Sequence, residues 1–343
     1  MIPSRARRLR RALLLALGVA LVATACSGTG GSASSASSSG GAPLVVGLTY
    51  TADIQFSPFY VAAEKGYFAD EGLDVTLRHH GGSEPLLGAL QAGDEDVVYA
   101  GGDEMMVNRS QGVDVVDVAT IYQSYPGELI VPADSPITSL ADLRGHSIGV
   151  PGEYGETWYT LLALLDEAGL SRDDVDIRTI GFTQQSALMT GKVDAVVGFS
   201  NNDAIQIRQA GTPVRTIQVA DRIPLVGVSL VTTRSLLDSR RQDLETVVKA
   251  SIKGMTAFVK DPDAAVEATK DHMDDLKVDQ TQAKRAREVA VATGKLVSGD
   301  GSHPIGSVRV DDVAAMIEFL TSHKLLGDKK TPKAAEVCVP LGQ

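Results

Sequence analysis

One pattern occurs twice in this chain and constrains its fold more than any other feature. It consists of an amphipathic helix, a glycine, an acidic residue, a buried strand and a polar loop. The first copy reads LLGALQAGDEDVVYAGGDE and the second reads SALMTGKVDAVVGFSNNDA. Short apolar strands alternating with amphipathic helices are typical of α/β domains, and a repeated unit indicates two similar halves. We therefore predict an α/β fold built from two lobes.

A matching strand, loop and helix precede each copy. In the first half a strand at 44–49 is followed by Ser57-Pro58, which open a helix that Gly66 ends. In the second half the strand SIGV is followed by the loop PGEYGET and a helix over 158–168 that Gly169 ends. The two halves therefore share one plan over about sixty residues or more.

Two strand-like segments, 121–131 and 223–232, link the halves. After the first, Ser139 and Asp142 form a capping pair for a short helix. After the second, the chain is expected to be helical over 240–260, 262–272, 280–296 and 310–323. Two crossings between lobes form a hinge that permits opening and closing. We expect lobe 1 to comprise 44–131 and 226–343, and lobe 2 to comprise 132–225.

The first 42 residues carry a targeting pattern. A basic stretch of eleven residues precedes an apolar run over 12–22 that is too short to cross about 30 Å of hydrocarbon. Small residues then lead to Cys26, which resembles the lipidation site of bacterial lipoproteins. We expect a signal peptide over 1–25, a lipidated Cys26 and a flexible Gly/Ser tether over 26–42. The alternative is an ordinary secretory signal with an incidental cysteine.

The composition excludes several classes of function. Without the five arginines of the signal, 27 basic residues face 43 acidic ones and the net charge is -16. Such a body repels nucleic acid and anionic lipid, which leaves the lipid anchor as its membrane contact. Two cysteines cannot build a disulfide framework or a zinc site, and His79-His80 is expected to be a solvated turn. We predict no metal and no cofactor.

The segments SPFYVAAEKGYFADEGLDV, GHSIGVPGEYG and VDAVVGF resemble the NMT1/THI5-like periplasmic binding proteins. These proteins are the substrate-binding components of ABC importers for thiamine pyrimidine precursors, with relatives for riboflavin, taurine and nitrate. The resemblance covers roughly 44–234. It implies a type II periplasmic binding protein fold, with two lobes joined by a double-crossover hinge. It also implies a permease and an ATPase as partners.

The same branch contains an enzyme, the fungal thiamine-pyrimidine synthase. It uses a lysine for pyridoxal phosphate, a histidine and a cysteine-rich iron-binding run. Those positions fall here on Ala100, on Glu104 and on the segment 225–230, which has no cysteine. A side chain without an amine cannot form a Schiff base, and an apolar run cannot hold iron. We therefore expect a binding protein rather than an enzyme. A surface receptor or adhesin that uses the same fold remains a further alternative.

Polar loops at the strand ends are the candidate ligand site, because ligands bind outside the carboxyl ends of strands in open sheets. The first lobe offers Tyr50, Asp53, Gln55, Ser57, Gly101, Gly102 and Asp103. The crossover offers Tyr122 and Gln123, and the second lobe offers Tyr154, Gly155, Glu156, Thr157, Trp158, Ser200, Asn201, Asn202 and Asp203.

This wall contains acids and aromatic rings but no lysine or arginine. Sulfonate, nitrate and phosphate sites need a guanidinium or a cluster of amide donors, so such ligands are disfavoured here. Aromatic side chains beside amides and carboxylates suit a flat, neutral or cationic heterocycle such as an aminopyrimidine or a flavin. Two alternatives stay open: Trp158 packs in the core beside Leu161, Leu162 and Leu165, and Gly101-Gly102 is only a tight turn.

Together these features predict a monomeric, lipid-anchored, extracytoplasmic solute-binding protein of an ABC importer. Its ligand is expected to be a thiamine pyrimidine precursor or a related heterocycle such as riboflavin. The alternative ligand is a sulfonate, a nitrate-type anion or another small solute.

Overall fold

The computed structural model describes residues 43–81, 84–217, 224–327 and 331–342. The expected signal peptide, Cys26 and the tether lie outside these residues. Within them the strands are β1 (Leu44–Leu48), β2 (Val75–His79), β3 (Val97–Gly101), β4 (Val115–Thr120), β5 (Gly127–Pro132), β6 (Ser147–Val150), β7 (Asp176–Thr179), β8 (Ala195–Phe199), β9 (Val214–Ile217) and β10 (Val228–Thr233).

The helices are α1 (Ser57–Glu64), α2 (Gly88–Ala92), α3 (Gly102–Ser110), α4 (Gly155–Ala168), α5 (Gln184–Met189), α6 (Asp203–Gln209), α7 (Arg234–Lys260), α8 (Pro262–Thr269), α9 (Asp275–Val278), α10 (Gln280–Ser298), α11 (Val310–Ser322) and α12 (Ala334–Val337). Short 3-10 turns lie at Ile54–Phe56, Ala69–Glu71, Leu140–Leu143 and Arg172–Asp174.

The strands form two five-stranded sheets with the same plan. Their orders are β2-β1-β3-β10-β4 and β7-β6-β8-β5-β9. In each sheet the first three strands are parallel, and the fourth is antiparallel to both of its neighbours. The antiparallel strand enters from the other half of the chain, so the chain crosses between the sheets twice. The predicted repeat and α/β class are thereby confirmed.

The acidic residue of the repeat has the same structural role in both sheets. Oδ2 of Asp96 accepts a hydrogen bond from the backbone N–H of Val45 at 2.8 Å, at the start of β1. Oδ2 of Asp194 accepts one from the N–H of Ser147 at 2.8 Å, at the start of β6. Each acid thus ties the first strand of its sheet to the third, which explains why both copies carry an acid before the strand.

Several boundaries differ from the sequence predictions. The segment 121–131 is not one strand: β4 ends at Thr120 and β5 begins at Gly127. Because β5 pairs with β8 and β9, it belongs to the second sheet, and placing 127–131 in lobe 1 was wrong. Helix α4 begins at Gly155, three residues before the predicted start. The remaining lobe limits stay a proposal.

Helix starts were predicted best where a local signal marks them. Pro58 lies in the first turn of α1, but Ser57 is the first helical residue and not the expected cap, since Phe56 holds that position without a side-chain hydrogen bond. Ser139 with Asp142 forms a capping box on the turn Leu140–Leu143. In the tail, α8, α10 and α11 begin at the predicted residues, whereas α7 begins at Arg234. It carries a non-helical residue at Arg240, which is where the sequence placed its start.

The hydrophobic core runs across both sheets. One buried cluster packs the first sheet against α1, α7, α8 and α10. A second cluster joins residues of both sheets, including Val98 of β3, Met105 of α3, Leu129 of β5 and Trp158 of α4. The sheets therefore contact each other through α3 and α4, on the side where their loops meet. Among the residues with described positions, no helix has the length and apolar character required for a membrane crossing.

Candidate ligand site between the two sheets

Tyr122 lies on the first crossing and contacts residues from both sheets. It is 4% exposed, and its ring meets that of Tyr99 edge-on with centroids 6.2 Å apart. Nδ2 of Asn201, from the loop after β8, lies 3.5 Å from the Tyr122 hydroxyl. Burial raises the pKa of Tyr122 to about 12, and the nearby charges of Glu156 and Asp53 act in the same direction. The crossing, the first sheet and the second sheet thus meet at this ring.

Three carboxyl groups converge where the starts of α3 and α4 meet. They are those of Asp103 and Glu104 on α3 and of Glu156 on α4. A Cβ on Gly101 would lie 2.9 Å from Oε1 of Glu156, so this carboxyl reaches across to the first sheet. A Cβ on Gly155 would lie 3.1 Å from Oε1 of Glu104, so the approach is reciprocal. We call Asp103, Glu104 and Glu156 the carboxyl trio.

Burial makes the charged forms of the trio costly. It raises the pKa of Asp103 to about 7, and it raises that of Glu104 to about 8 with a further contribution from the charge of Asp103. It also raises the pKa of Glu156 well above its usual value, and the charges of Asp103 and Glu104 add to this effect. Oε1 of Glu156 is buried and has no hydrogen-bond partner in the structure. An unpaired buried acceptor of this kind favours a ligand that donates a hydrogen bond.

Tyr125 positions the trio from the crossing. Its hydroxyl donates to Oδ2 of Asp103 at 2.7 Å, and it lies 3.3 Å from the backbone oxygen of Glu156. Oδ1 of Asp103 accepts from the N–H of Glu104 at 2.7 Å. Both oxygens of Asp103 are therefore engaged, and its carboxyl is held in place.

A second polar contact near Tyr122 links the loop after β8 to helix α10. Nδ2 of Asn201 donates to Oγ1 of Thr293 on α10 at 2.9 Å, and both residues are buried. The turn that carries Asp53 and Gln55 contacts the same helix. Burial raises the pKa of Asp53, and nearby Arg285 of α10 partly offsets this. The loops after β1, β3, β6 and β8 thus all reach the region around Tyr122.

Most of the predicted residues lie in this region, in differing environments. The buried ones are Ser57, Gly101, Gly102, Asp103, Tyr122, Gln123, Thr157 and Asn201, and the partly exposed ones are Asp53, Gln55, Gly155, Glu156, Ser200 and Asn202. Oγ of Ser57 and Oε1 of Gln123 are buried without a partner in the structure, as is Oε1 of Glu156. Tyr50 and Tyr154 are 51% and 60% exposed, which leaves their rings open to solvent.

Trp158 is not part of a ligand wall. It is 3% exposed in the core cluster shared by the sheets, and the guanidinium of Arg172 lies 4.7 Å from its ring centroid. Its faces are therefore occupied by protein, and the alternative of core packing is correct. The prediction that it stacks on a ligand was wrong.

Asp203 also has a local structural role. It is partly exposed, and its Oδ2 accepts from the N–H of Phe199 at 2.8 Å, which closes the end of β8 onto the start of α6. Oδ1 of Asn202 accepts from the side chain of Gln206 at 2.6 Å within the same segment. Neither side chain needs a ligand to satisfy it, so Asn201 is the residue of this loop that best fits the site.

Gly101 and Gly102 are required by close approach and not by a turn. A Cβ on Gly102 would lie 2.8 Å from Cγ1 of Val226, and one on Gly101 would meet the carboxyls of Asp103 and Glu156. Neither glycine has a positive φ, so the tight-turn alternative is not the reason for the pair.

The wall is less free of cations than the sequence predicted. Arg285 lies close enough to Asp53 to lower its pKa, and Nη2 of Arg309 donates to the backbone oxygen of Gln123 at 3.3 Å. Arg309 also pairs with Asp312 at 2.6 Å. Both arginines come from the helical tail, where the sequence offered no motif.

Sequence reasoning missed Tyr99, Tyr125, Glu104 and Thr293 as site residues. Tyr99 lies inside β3, and Glu104 was considered only as the counterpart of the synthase histidine. Tyr125 and Thr293 lie in segments assigned to a strand and to a helical tail. Glu104 could have been predicted, because it forms a pair of acids with Asp103 directly after Gly101-Gly102.

His80 is not in a solvated turn. It is 3% exposed, and its Nε2 lies 2.8 Å from Oε1 of Glu95, which also accepts from Arg78 at 2.7 Å. His79 lies 2.7 Å from the Tyr60 hydroxyl. In the described part of the chain no group of three or more metal-binding side chains is arranged to hold an ion.

The family model "NMT1/THI5 like" matches residues 53–265. The riboflavin-binding protein RibY of Chloroflexus aurantiacus is 33% identical over 268 residues, which are 75% of this chain and 76% of that protein. The formylaminopyrimidine-binding protein of Halalkalibacterium halodurans is 24% identical over 271 residues, 78% of this chain and 81% of that protein.

The solved structures show the fold. The periplasmic aliphatic sulphonate binding protein SsuA from Escherichia coli superposes with a TM-score of 0.68 at 16% identity, covering 86% of this chain and 91% of that one. The paired sheets and the double crossing are therefore those of a two-lobed type II periplasmic binding protein. The family match, the relatives and this fold together show that the chain belongs to the NMT1/THI5-like family.

Proposed function

We propose that this chain is the solute-binding component of an ABC importer and binds a small aromatic heterocycle between its two sheets. One observation carries the proposal: Tyr122 and the carboxyl trio form an aromatic and acidic wall where both sheets meet. A flat ring can pack on tyrosine while its N–H groups donate to carboxyl oxygens. The similarity to binding proteins for riboflavin and formylaminopyrimidine supports the same class of ligand.

Between these two ligands, riboflavin is our first candidate. The relative that binds it shares 33% identity with this chain, against 24% for the formylaminopyrimidine binder. The flavin ring also offers an N–H donor between two carbonyl groups, which a carboxyl group can accept from. An aminopyrimidine is the second candidate, because its amino group and ring nitrogen match the same acids.

Isothermal titration against riboflavin, formylaminopyrimidine and taurine tests this proposal. We expect saturable binding of a heterocycle at a stoichiometry of about one, and no heat from taurine. The sulfonate alternative has some support, since SsuA shares the fold and Arg285 and Arg309 lie near the site. Tight taurine binding with no response to either heterocycle would favour that alternative and reject ours.

We propose that no covalent chemistry takes place at the site. The synthase lysine position falls on Ala100, which is 1% exposed within β3 and pairs with Ser229 of β10. A methyl group in a sheet cannot hold an aldehyde cofactor. A pyridoxal absorbance in the purified protein would contradict this part of the proposal.

We also propose that the body is held outside the cytoplasm by a lipid on Cys26. The motif and the tether support this, as does the fold shared with a periplasmic protein. In a bacterial host, Cys26→Ala should move the protein from the membrane fraction to the soluble fraction. Cys338→Ala is the matched control and should leave it membrane-bound. An unchanged distribution of the Cys26 variant would reject the anchor.

A further inference from the structure

His79 ends β2 beside the loop that follows β1, and its imidazole bonds to two other elements. Its Nδ1 lies 2.9 Å from the backbone oxygen of Tyr50, and its Nε2 lies 2.7 Å from the hydroxyl of Tyr60 on α1. A carbonyl oxygen can only accept, so Nδ1 carries a proton. In the neutral ring Nε2 is then bare and accepts from the Tyr60 hydroxyl. The two partners thus fix which nitrogen of the neutral ring is protonated.

Aromatic contacts hold the Tyr60–His79 pair in place. Tyr60 is 1% exposed, and the ring of His272, from the turn between α8 and α9, stacks on it with centroids 3.7 Å apart and planes 12° apart. The ring of Phe56 meets that of His79 edge-on, with centroids 5.4 Å apart. The imidazole therefore has little freedom to turn away from its two partners.

The environment favours the neutral form of both imidazoles in this cluster. Burial lowers the pKa of His79; the bond to Tyr50 partly offsets this effect, and nearby His80 adds to it. Burial also lowers the pKa of His272, with His79 acting in the same direction and Asp271 against it. Since an ordinary histidine has a pKa of about 6.5, the ring of His79 is neutral at pH 7.5.

The loop that His79 bonds leads directly into the candidate ligand site. Tyr50 is at one end of it and is 51% exposed. At the other end, Oδ1 of Asp53 accepts from the N–H of Gln55 at 3.2 Å and so begins the turn Ile54–Phe56. Asp53 lies near enough to Tyr122 for its charge to add to the effect of burial on the pKa of that phenol. His79 thus holds one end of a loop whose other end lies beside Tyr122.

The second sheet shows that the fold does not need this contact. Leu48 at the end of β1 pairs with His79, and Val150 at the end of β6 pairs with Thr179 in the same way. Thr179 is exposed and has no ring that could reach a neighbouring loop. Because both sheets have the same plan, the bonds of His79 serve the loop after β1 rather than the pairing of the strands.

We propose that His79, with its proton on Nδ1, positions the loop from Tyr50 to Asp53 for the ligand. It acts through the backbone of that loop and is not itself a ligand contact. This inference rests on the proposed function and deepens it by naming a residue outside the predicted wall on which affinity depends.

Titration calorimetry with riboflavin at pH 7.5 tests the role of the two nitrogens. His79→Leu removes both and should weaken binding by about tenfold, which corresponds to one or two lost hydrogen bonds. His79→Asn places an amide N–H where Nδ1 was and should lose less. His79→Gln places its amide near Nε2, away from Tyr50, and should lose as much as the leucine variant. Unchanged affinity in His79→Leu, or equal losses in the asparagine and glutamine variants, would overturn the inference while leaving the proposed function intact.

Thr179→Leu is the matched control, because Thr179 ends the equivalent strand of the second sheet. It should leave the affinity for riboflavin unchanged. A tenfold loss in this variant would show that any substitution at this strand end disturbs binding, and would overturn the inference.

Two measurements without ligand complete the test. In protein labelled with ¹⁵N-histidine, the ring signals of His79, assigned by their absence in His79→Asn, should show Nδ1 protonated and Nε2 bare at pH 7.5. The backbone amides of 50–53 should exchange hydrogen faster in His79→Leu than in the unchanged protein, because the loop loses its bond. If neither riboflavin nor formylaminopyrimidine binds, the proposed function alone is rejected and these measurements still decide the role of His79. A neutral ring with its proton on Nε2, or equal exchange in both proteins, would overturn the inference.

Discussion

Asp103 and Asp203 occupy equivalent places in the two sheets and have different neighbours. Each follows the third strand of its sheet and lies at the start of the next helix, and burial raises the pKa of each. Asp203 accepts from the N–H of Phe199 in its own sheet, whereas Asp103 accepts from Tyr125 on the crossing. The repeat fixes the position of the acid, and the residues facing it decide whether it is structural or available to a ligand.

The aromatic pairs of the two halves, unlike the two acids, keep the same role in both sheets. Phe59-Tyr60 of α1 and Trp158-Tyr159 of α4 stand at matching places after the first strand of each sheet. Phe59 is 0% exposed and Trp158 is 3% exposed, so both halves use this ring for their core. Here the repeat preserves a packing role, and no ligand role arises in either sheet.

The largest expected effect tests this packing symmetry. Phe59→Ala and Trp158→Ala should each lower the free energy of unfolding by about 3–5 kcal/mol, the cost of a cavity left by a large buried ring. Urea titrations measure the loss, and Phe182→Ala, at a ring 75% exposed, is the control with less than about 0.5 kcal/mol. A small loss for Trp158→Ala alone would break the comparison and restore the tryptophan to the ligand wall.

The next largest effect is expected on riboflavin affinity when Tyr122, whose ring contacts residues of both sheets, is changed. Tyr122→Ala should weaken riboflavin binding by about 1–3 kcal/mol, because it removes an aromatic contact and its buried area. Tyr122→Phe keeps the ring and should lose less. Calorimetry on both variants measures the difference, and equal affinities in all three proteins would exclude Tyr122 from the site.

The two equivalent acids should respond differently to the same change. Asp203→Asn should cost about 1–2 kcal/mol of stability through its weakened bond to Phe199, with riboflavin affinity unchanged. Asp103→Asn should instead reduce the pH dependence of riboflavin affinity between pH 6 and 8, where a carboxyl group with a pKa of about 7 titrates. Paired unfolding and binding curves measure both quantities. If the two variants behave alike, their neighbours do not set their roles as we describe.

The smallest effect is expected at the acids before the third strands. Asp194→Asn should cost about 0.5–1 kcal/mol, because its side chain is half exposed, and Asp96→Asn should cost more, because it is more buried and also pairs with Arg240 at 3.1 Å. The pKa of Asp194 is lowered by its bonds to Ser147. Its stabilisation is thus present at neutral pH and is lost as pH falls below about 4. Urea midpoints at pH 7 and at pH 3 test both statements.

The sequence predicted features that depend on local signals. The repeat indicated two equal sheets, and Pro58 and the capping pair Ser139 and Asp142 marked helix starts, because these signals act over only a few residues. The loops at strand ends predicted a shared site, since strand direction fixes where carboxyl ends lie. Tyr122 and Asn201 were proposed in this way, and in the structure they lie 3.5 Å apart.

Long-range contacts could not be predicted from the same signals. The site contact of Thr293 with Asn201 spans 92 residues, and Arg172 covers Trp158 from a different element. The assignment of β5 to the second sheet depends on its pairing with β8, which no local pattern records. Each of these outcomes is decided by which segments pack together in the folded chain.

A crystal structure of the protein with bound riboflavin tests the central claim most directly. Our account predicts the flavin ring in contact with Tyr122, with its N–H edge within hydrogen-bond distance of Glu156 or Asp103. The result that would contradict it is a flavin bound elsewhere, for example in the groove of about 630 Å³ lined by Leu162, Arg172 and His323, with the gap between the sheets unoccupied.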